Sequence, residues 1–313
     1  MNWKKESLRD AYGTALVELG KARSEIVVLD ADLSSSTKTS MFAKAFPDRF
    51  FNVGIAEQNM MSIAAGLAYC GKIPFVSTFA VFATGRAYDQ VRQSISYPRL
   101  NVRIVATHSG LSVGGDGASH QMCEDIGLMR SMPNMCIIAP CDAPQTKKVI
   151  HAVVDYTGPV YVRLVRQELP TITADMDFKI GQADVLADGS DISIISTGSM
   201  VSTALLASME LKKQGVSARV INMHTIKPID LKTILKCARE TAGIVTVEEH
   251  TVTTGLGAAV ASVTAEHVPC TVKRIGVPDI FGESGEPDAL LEKYGLTVEN
   301  IVRKAKEILE VRK

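Results

Sequence analysis

Short β-branched runs at 26–29, 75–78, 102–107, 135–139 and 160–164 alternate with helical patterns at 7–22, 58–69, 87–94, 121–132 and 143–156. Strands separated by helical stretches of roughly 10–15 residues cannot pair through tight hairpins, and the crossovers that join them build βαβ units on a mainly parallel sheet. Pro47, Pro98, Pro133 and Pro159 fall between elements, where a missing N–H interrupts no ladder. The alternation restarts beyond 190, with strands at 192–196, 218–222, 244–247 and 271–275 and helices at 201–214, 231–240, 257–267, 287–294 and 298–311. Between the halves, 167–190 carries Pro170, a Thr-Ile-Thr-Ala-Asp run and Gly189, and reads as a linker with some extended structure. The expectation is an α/β protein of two doubly wound domains with mainly parallel sheets, at 1–168 and 191–313, joined by a linker over 169–190.

Charge excludes some partners. Lys+Arg and Asp+Glu are 34 each, so no bulk basic excess draws in nucleic acid. The longest near-uncharged apolar stretch, 73–85, contains Pro74 and falls short of the ~20 residues a membrane helix needs. The first residues hold no apolar segment of the signal-peptide kind, and six cysteines with no C-x-x-C pair read as reduced thiols. A cytoplasmic protein without membrane or nucleic-acid partners is expected. No Cys or His pair has ligand spacing, so no metal-binding residue is expected on this chain.

Three segments carry chemistry. In Asn52-Val53-Gly54-Ile55-Ala56-Glu57-Gln58-Asn59, Glu57 is the sole charge between Arg49 and Lys72. Either it is a first-turn carboxylate favoured by the helix dipole, or it is buried with a raised pKa suited to proton exchange with a heterocycle. In Ser77-Thr78-Phe79-Ala80-Val81-Phe82-Ala83-Thr84-Gly85-Arg86, two of the chain's few aromatics stand three apart after a strand, as a stacking platform or as ordinary core. The third, His108 to Gln121, combines four glycines with Asp116 and two of six histidines after a strand ending at Thr107. Ligands in α/β sheets bind beyond the carboxyl ends of strands, and glycines let the backbone approach them. Arg163 and Arg166 follow another strand, and guanidinium forks suit phosphate. In the second half, Thr197-Gly198-Ser199 opens a helix after a strand and is a candidate anion turn.

Taken in order, these motifs resemble transketolase over nearly the whole chain, specifically the half with its pyrimidine-binding and C-terminal domains. The resemblance implies that thiamine diphosphate is the cofactor and sugar phosphates the substrates. It matches Glu57 to the glutamate that bonds the aminopyrimidine nitrogen and promotes deprotonation of the thiazolium carbon, and Phe82, with Phe79, to the stacking aromatic. Asp32 and Arg86 join these as cofactor-binding candidates. His108 matches a substrate-phosphate histidine, Asp116 a reader of a sugar hydroxyl, and His120 a catalytic histidine at the donor's reacting end. Arg166, in Arg166-Gln167-Glu168-Leu169-Pro170, matches the phosphate-gripping arginine, and Arg9 and Ser36 the other groups at that end.

Two departures shape the expectation. Gly85-Arg86 replaces a tyrosine-containing stretch of bacterial-type transketolases, with a one-residue shift in spacing. The family's N-terminal domain, whose GDG…N motif holds magnesium and diphosphate, has no counterpart here; Gly115-Asp116-Gly117 spells the letters inside the substrate loop without the asparagines that should follow. The resemblance therefore implies the C-terminal subunit of a split transketolase of the pentose phosphate pathway. It would be completed by an N-terminal subunit that binds most of the Mg2+, in a two-plus-two heterotetramer, with 58–71 a candidate packing segment. Alternatives are a β-type subunit of a 2-oxoacid dehydrogenase, a deoxyxylulose-phosphate-synthase-like enzyme, and a non-catalytic scaffold.

Overall fold

The computed structural model describes residues 3–311. Its strands, in chain order, are β1 (Lys5–Ser7), β2 (Ile26–Asp30), β3 (Phe50–Asn52), β4 (Ile73–Phe79), β5 (Arg103–Thr107), β6 (Cys136–Ile138), β7 (Val160–Arg163), β8 (Glu168–Pro170), β9 (Asp184–Ala187), β10 (Ile192–Ser196), β11 (Ala218–Asn222), β12 (Thr225–Lys227), β13 (Ile244–Thr251) and β14 (Val272–Val277). One sheet runs β12-β6-β7-β5-β4-β2-β3 and a second β14-β13-β10-β11-β9, while β1 and β8 form a short antiparallel pair. Only β12 in the first sheet and β9 in the second run antiparallel to their neighbours. The chain is therefore two α/β units with mainly parallel sheets, as its alternation predicts.

Both faces of each sheet are covered, which is why β2, β5 and β10 are buried throughout, Asp30, Arg103 and Ser193 included. The pleat sends alternate residues to opposite layers. Val27 and Leu29 pack with Met60, Met61 and Met129, whereas Ile26 and Val28 pack with Tyr12, Leu16 and Val153. The helix Leu8–Ala22 reaches that second layer through Leu8, Tyr12, Leu16 and Leu19, and the Ser7 hydroxyl accepts the Asp10 N–H at 3.2 Å as its N-cap.

Segment 169–190 holds the extended structure expected of it: β8 continues into it and β9 lies inside it. Several other details differ from expectation. β12 comes from the second half but pairs with β6, at Thr225 opposite Ile138, and stitches the units together. β3 and the short helices Ser34–Thr37 and Ser40–Ala45 are too brief for a periodic signal. The expected helix at 121–132 spans only Asp125–Ser131. That expected at 87–94 is a short helix, Tyr88–Gln90, running into a wide-turn segment, Val91–Ser96, with another wide-turn segment, Phe82–Arg86, just before it. Among the described residues no helix is long and apolar enough to cross a membrane.

Candidate functional site

Most of the expected site residues lie just beyond the carboxyl ends of parallel strands in the first sheet, where such folds bind ligands. From β3 the chain turns through Gly54, at φ 72°, and enters the helix Glu57–Tyr69. Glu57 is its first residue and is 1 % exposed, so the helix start and the apolar layer act on one carboxylate. The Arg86 guanidinium donates to Glu57 Oε2 at 2.7 Å, and the Thr78 hydroxyl donates to Oε1 at 3.4 Å. Arg86 is aimed there by the wide-turn segment Phe82–Arg86, the local form that one extra residue takes in a helix.

Around this pair the aromatic groups form one cluster. Phe79 and Phe82 stack with centroids 5.9 Å apart, and the His108 ring stacks on Phe79 at 3.8 Å. His120 stands edge-on to Phe82 at 5.6 Å and to Phe79 at 6.4 Å, and Arg86 lies over Phe82 at 4.3 Å. His108 has φ 58° and is buried. Burial first, then the charges of Arg9, Arg166 and His120, push its pKa down to about 3, so it is a neutral imidazole at physiological pH.

A second group adjoins the first. Arg9 donates to the carbonyls of Ser36, at 2.9 Å, and Arg166, at 3.1 Å, so Ser36 enters through its backbone. Arg166 donates to the Val113 carbonyl at 2.9 Å and stands 3.6 Å from the Asp116 carboxylate. Arg9, Asp116 and Arg166 line a cleft of about 450 Å³ whose far wall is Gly285–Pro287 of the second unit. The buried Nε of Arg9 has no hydrogen-bond partner.

Asp32, at φ 66°, is hydrogen bonded to Asn52, whose Nδ2 donates to Oδ1 at 2.9 Å. Two expectations need correction. Arg163 turns inward, 3 % exposed, donating to Asp125 at 2.8 Å and to the Glu249 carbonyl at 2.9 Å, so its fork is not offered to phosphate. The Thr197-Gly198-Ser199 turn is already taken by a carboxylate of this chain: the Ser199 hydroxyl donates to Glu249 at 2.5 Å.

Glu248 and Glu249 were not expected among the working residues. Glu248 is buried and accepts the N–H groups of Leu256 and Gly257 at 2.6 and 2.8 Å, capping the helix Leu256–His267. Burial raises its pKa to about 7 despite those bonds. Adjacent carboxylates continuing an apolar β-run were the available signal. On the helix Glu57–Tyr69 the outer face shows Ile63 and Tyr69, with Ile55 beside it, so apolar surface is exposed along the candidate packing segment. Among the described residues no group of three or more His, Cys, Asp or Glu could hold a metal ion.

Comparison with known proteins agrees with the two-unit α/β fold. Residues 4–171 match the transketolase pyrimidine-binding domain and 181–301 the transketolase C-terminal domain. A protein described as a transketolase C-terminal section, from Methanocaldococcus jannaschii, is 52% identical over 309 residues, covering 97% of this chain and 96% of that one. The solved structure of a split-gene transketolase, described as an inactive β4 tetramer, superposes with a TM-score of 0.92 at 52% identity, covering 98% and 99% of the two chains. Transketolase from Rattus norvegicus is 39% identical over 97% of this chain but only 49% of its own length. A 1-deoxy-D-xylulose-5-phosphate synthase from Desulforudis audaxviator is 38% identical over 96% of this chain and 48% of its own. The chain thus spans about half of those longer relatives, and it belongs to the transketolase family.

Proposed function

We propose that this chain is the C-terminal subunit of a two-chain, thiamine-diphosphate-dependent transketolase, moving a two-carbon ketol group from a ketose phosphate to an aldose phosphate. The observation that carries the reading is the Arg86 guanidinium, a flat nitrogenous cation hydrogen bonded to buried Glu57 and stacked over Phe82. A carboxylate and a ring that receive that shape also suit an aminopyrimidine, whose cationic form is planar and donates from a ring nitrogen. The residues therefore fit the cofactor's pyrimidine end.

When bound, thiamine diphosphate supplies the carbon nucleophile that takes up the ketol fragment. In this reading Glu57 holds and exchanges a proton at the pyrimidine nitrogen while Phe82 and Phe79 keep the ring flat. Arg9 and Arg166 bind the sugar phosphate, with Ser36 and neutral His108 beside them, and Asp116 accepts a hydrogen bond from a sugar hydroxyl. His120 moves a proton at the donor's reacting end. Asp32 stays among the cofactor-binding residues, and Arg86, expected there too, yields its place on Glu57 to the pyrimidine. The diphosphate and Mg2+ fall to an N-terminal partner subunit, in a two-plus-two assembly whose interface includes the exposed face of Glu57–Tyr69. The reading places the enzyme in the cytoplasm and in pentose phosphate interconversion, and six unpaired cysteines fit a reducing compartment.

A deoxyxylulose-phosphate-synthase-like activity is the second reading, favoured by an identity to that enzyme nearly equal to that of rat transketolase. A donor panel separates the two. With the partner, thiamine diphosphate, Mg2+ and an aldose phosphate acceptor, the assembled enzyme should consume xylulose 5-phosphate and leave pyruvate untouched. Carbon dioxide release from pyruvate, without ketol transfer, would overturn the transketolase assignment.

A further inference from the structure

We infer that Glu249, a carboxylate of the second unit, positions the substrate loop of the first and so sets how well the enzyme binds its sugar substrates. The inference rests on the transketolase reading for the loop's role, but its physical content is independent of the substrate. The loop from His108 to Gln121 carries Asp116 and His120, and its backbone has left-handed glycines at Gly110, Gly114 and Gly117. Such a segment is poorly held by its own conformational preferences, since glycine loses more freedom on ordering than any other residue. Its shape must come from outside anchors.

Glu249 is the buried anchor. It sits on β13, is 1 % exposed, and accepts the Ser112 N–H on Oε1 at 2.6 Å. Its Oε2 accepts the Ser199 hydroxyl at 2.5 Å, and its own carbonyl accepts from Arg163, which is tied to Asp125. The carboxylate is therefore held from the second unit and presents one oxygen to the loop. Gly110 gives a separate sign of this close fit: a Cβ there would stand 2.3 Å from Glu249 Oε1, so carboxylate and loop backbone are in contact along a face open only to glycine. A second tie runs the same way, the Gln121 amide donating to the Glu283 carbonyl at 2.8 Å. Glu249 lies behind the loop and reaches no substrate group, which makes it a positioning residue. Charge-assisted bonds of this length are stronger than neutral ones, and small misplacements of reacting groups are costly.

Glu249→Gln keeps the side-chain volume but removes the charge: with Oε1 on the Ser112 N–H, Nε2 faces the Ser199 hydroxyl, which has to turn from donor to acceptor, and both bonds lose their charge assistance. In the assembled two-subunit enzyme it should raise KM for donor and acceptor sugars at least tenfold, with the Kd for thiamine diphosphate within twofold of wild type. Hydrogen exchange, read on the same assembly, should accelerate at least tenfold at 110–117 while β10 and β13 stay protected. Ser199→Ala, which leaves the Ser112 bond in place, should give smaller changes in the same direction and serves if the Gln variant fails to fold. Unchanged exchange at 110–117 in both variants, or faster exchange spread over both units, would overturn the inference. Because exchange needs no turnover, wild-type protein lacking ketol transfer would defeat the proposed activity and still leave the exchange result decisive for Glu249.

Discussion

The Arg86 guanidinium stands 2.7 Å from the Glu57 carboxylate and 4.3 Å from the centre of the Phe82 ring. The chain thus covers, with one of its own side chains, the carboxylate and ring that its proposed cofactor would use. Arg86 is 45% exposed and Glu57 1%, so Arg86 has room to swing into solvent once another donor takes its place, while Glu57 cannot follow it. Arg86→Ala should tighten thiamine diphosphate binding by the assembled enzyme, since no side chain has then to be displaced. It should also lower the unfolding free energy of the chain by about 1–3 kcal/mol, because a buried carboxylate loses its donor. Calorimetric titration and denaturant unfolding check the two arms; unchanged affinity would mean that Arg86 does not compete.

Glu57→Ala removes the carboxylate at the start of the helix Glu57–Tyr69. Ketol transfer by the assembled enzyme should fall by ~10²–10⁴, the usual contribution of a positioned acid or base. Circular dichroism should show the same secondary structure, because the neighbouring Met60, Met61 and Ala64 keep the helix packed. Turnover at the wild-type rate would remove Glu57 from the mechanism.

Arg166→Ala takes away a guanidinium that lines the cleft with Arg9 and Asp116. KM for phosphorylated sugars should rise by at least tenfold, with a much smaller change for the same sugars without phosphate. Equal changes for both would place the phosphate elsewhere.

Glu248 gives a pH dependence whose sign is fixed. Its carboxyl pKa is raised by burial to about 7 from an ordinary 4.5, so the folded state keeps a proton that the unfolded chain releases between those values. The stability this group contributes is full below pH 4.5 and is lost as pH rises through 7. Glu248→Gln has no such titration. Its stability relative to wild type should therefore rise by about 2–3 kcal/mol between pH 5 and pH 8.5, measured by urea unfolding across that range. A difference that stays flat with pH would show that Glu248 is ionised throughout.

How far the sequence could be read depended on the range of each interaction. Burial of Glu57 was one of two readings open to a lone charge in a long apolar run, and stacking of Phe79 on Phe82 one of two open to aromatics three apart after a strand; the buried carboxylate and the stacked pair are what the fold shows. His108 and Asp116 were legible as a glycine-rich loop after a buried strand. The Arg86–Glu57 bond was not, since it depends on a wide helical turn that a regular 3.6-residue period does not describe. The bond from Ser112 to Glu249 spans 137 positions, and nothing local to either residue marks it. Arg163 was misread for a related reason: arginine after a strand suits phosphate, but Asp125, on another element, draws it inward. β12 was missed because three residues carry no period, and its pairing with β6 is decided by how the two units pack.

The central claim is that this chain is half of a catalyst, and ketol transfer from xylulose 5-phosphate to ribose 5-phosphate tests it most directly. The chain is assayed alone and then with the N-terminal subunit, each time with thiamine diphosphate and Mg2+. The account predicts no turnover by the chain alone and robust turnover by the mixture. Turnover by the chain alone, or none by the mixture, would contradict it.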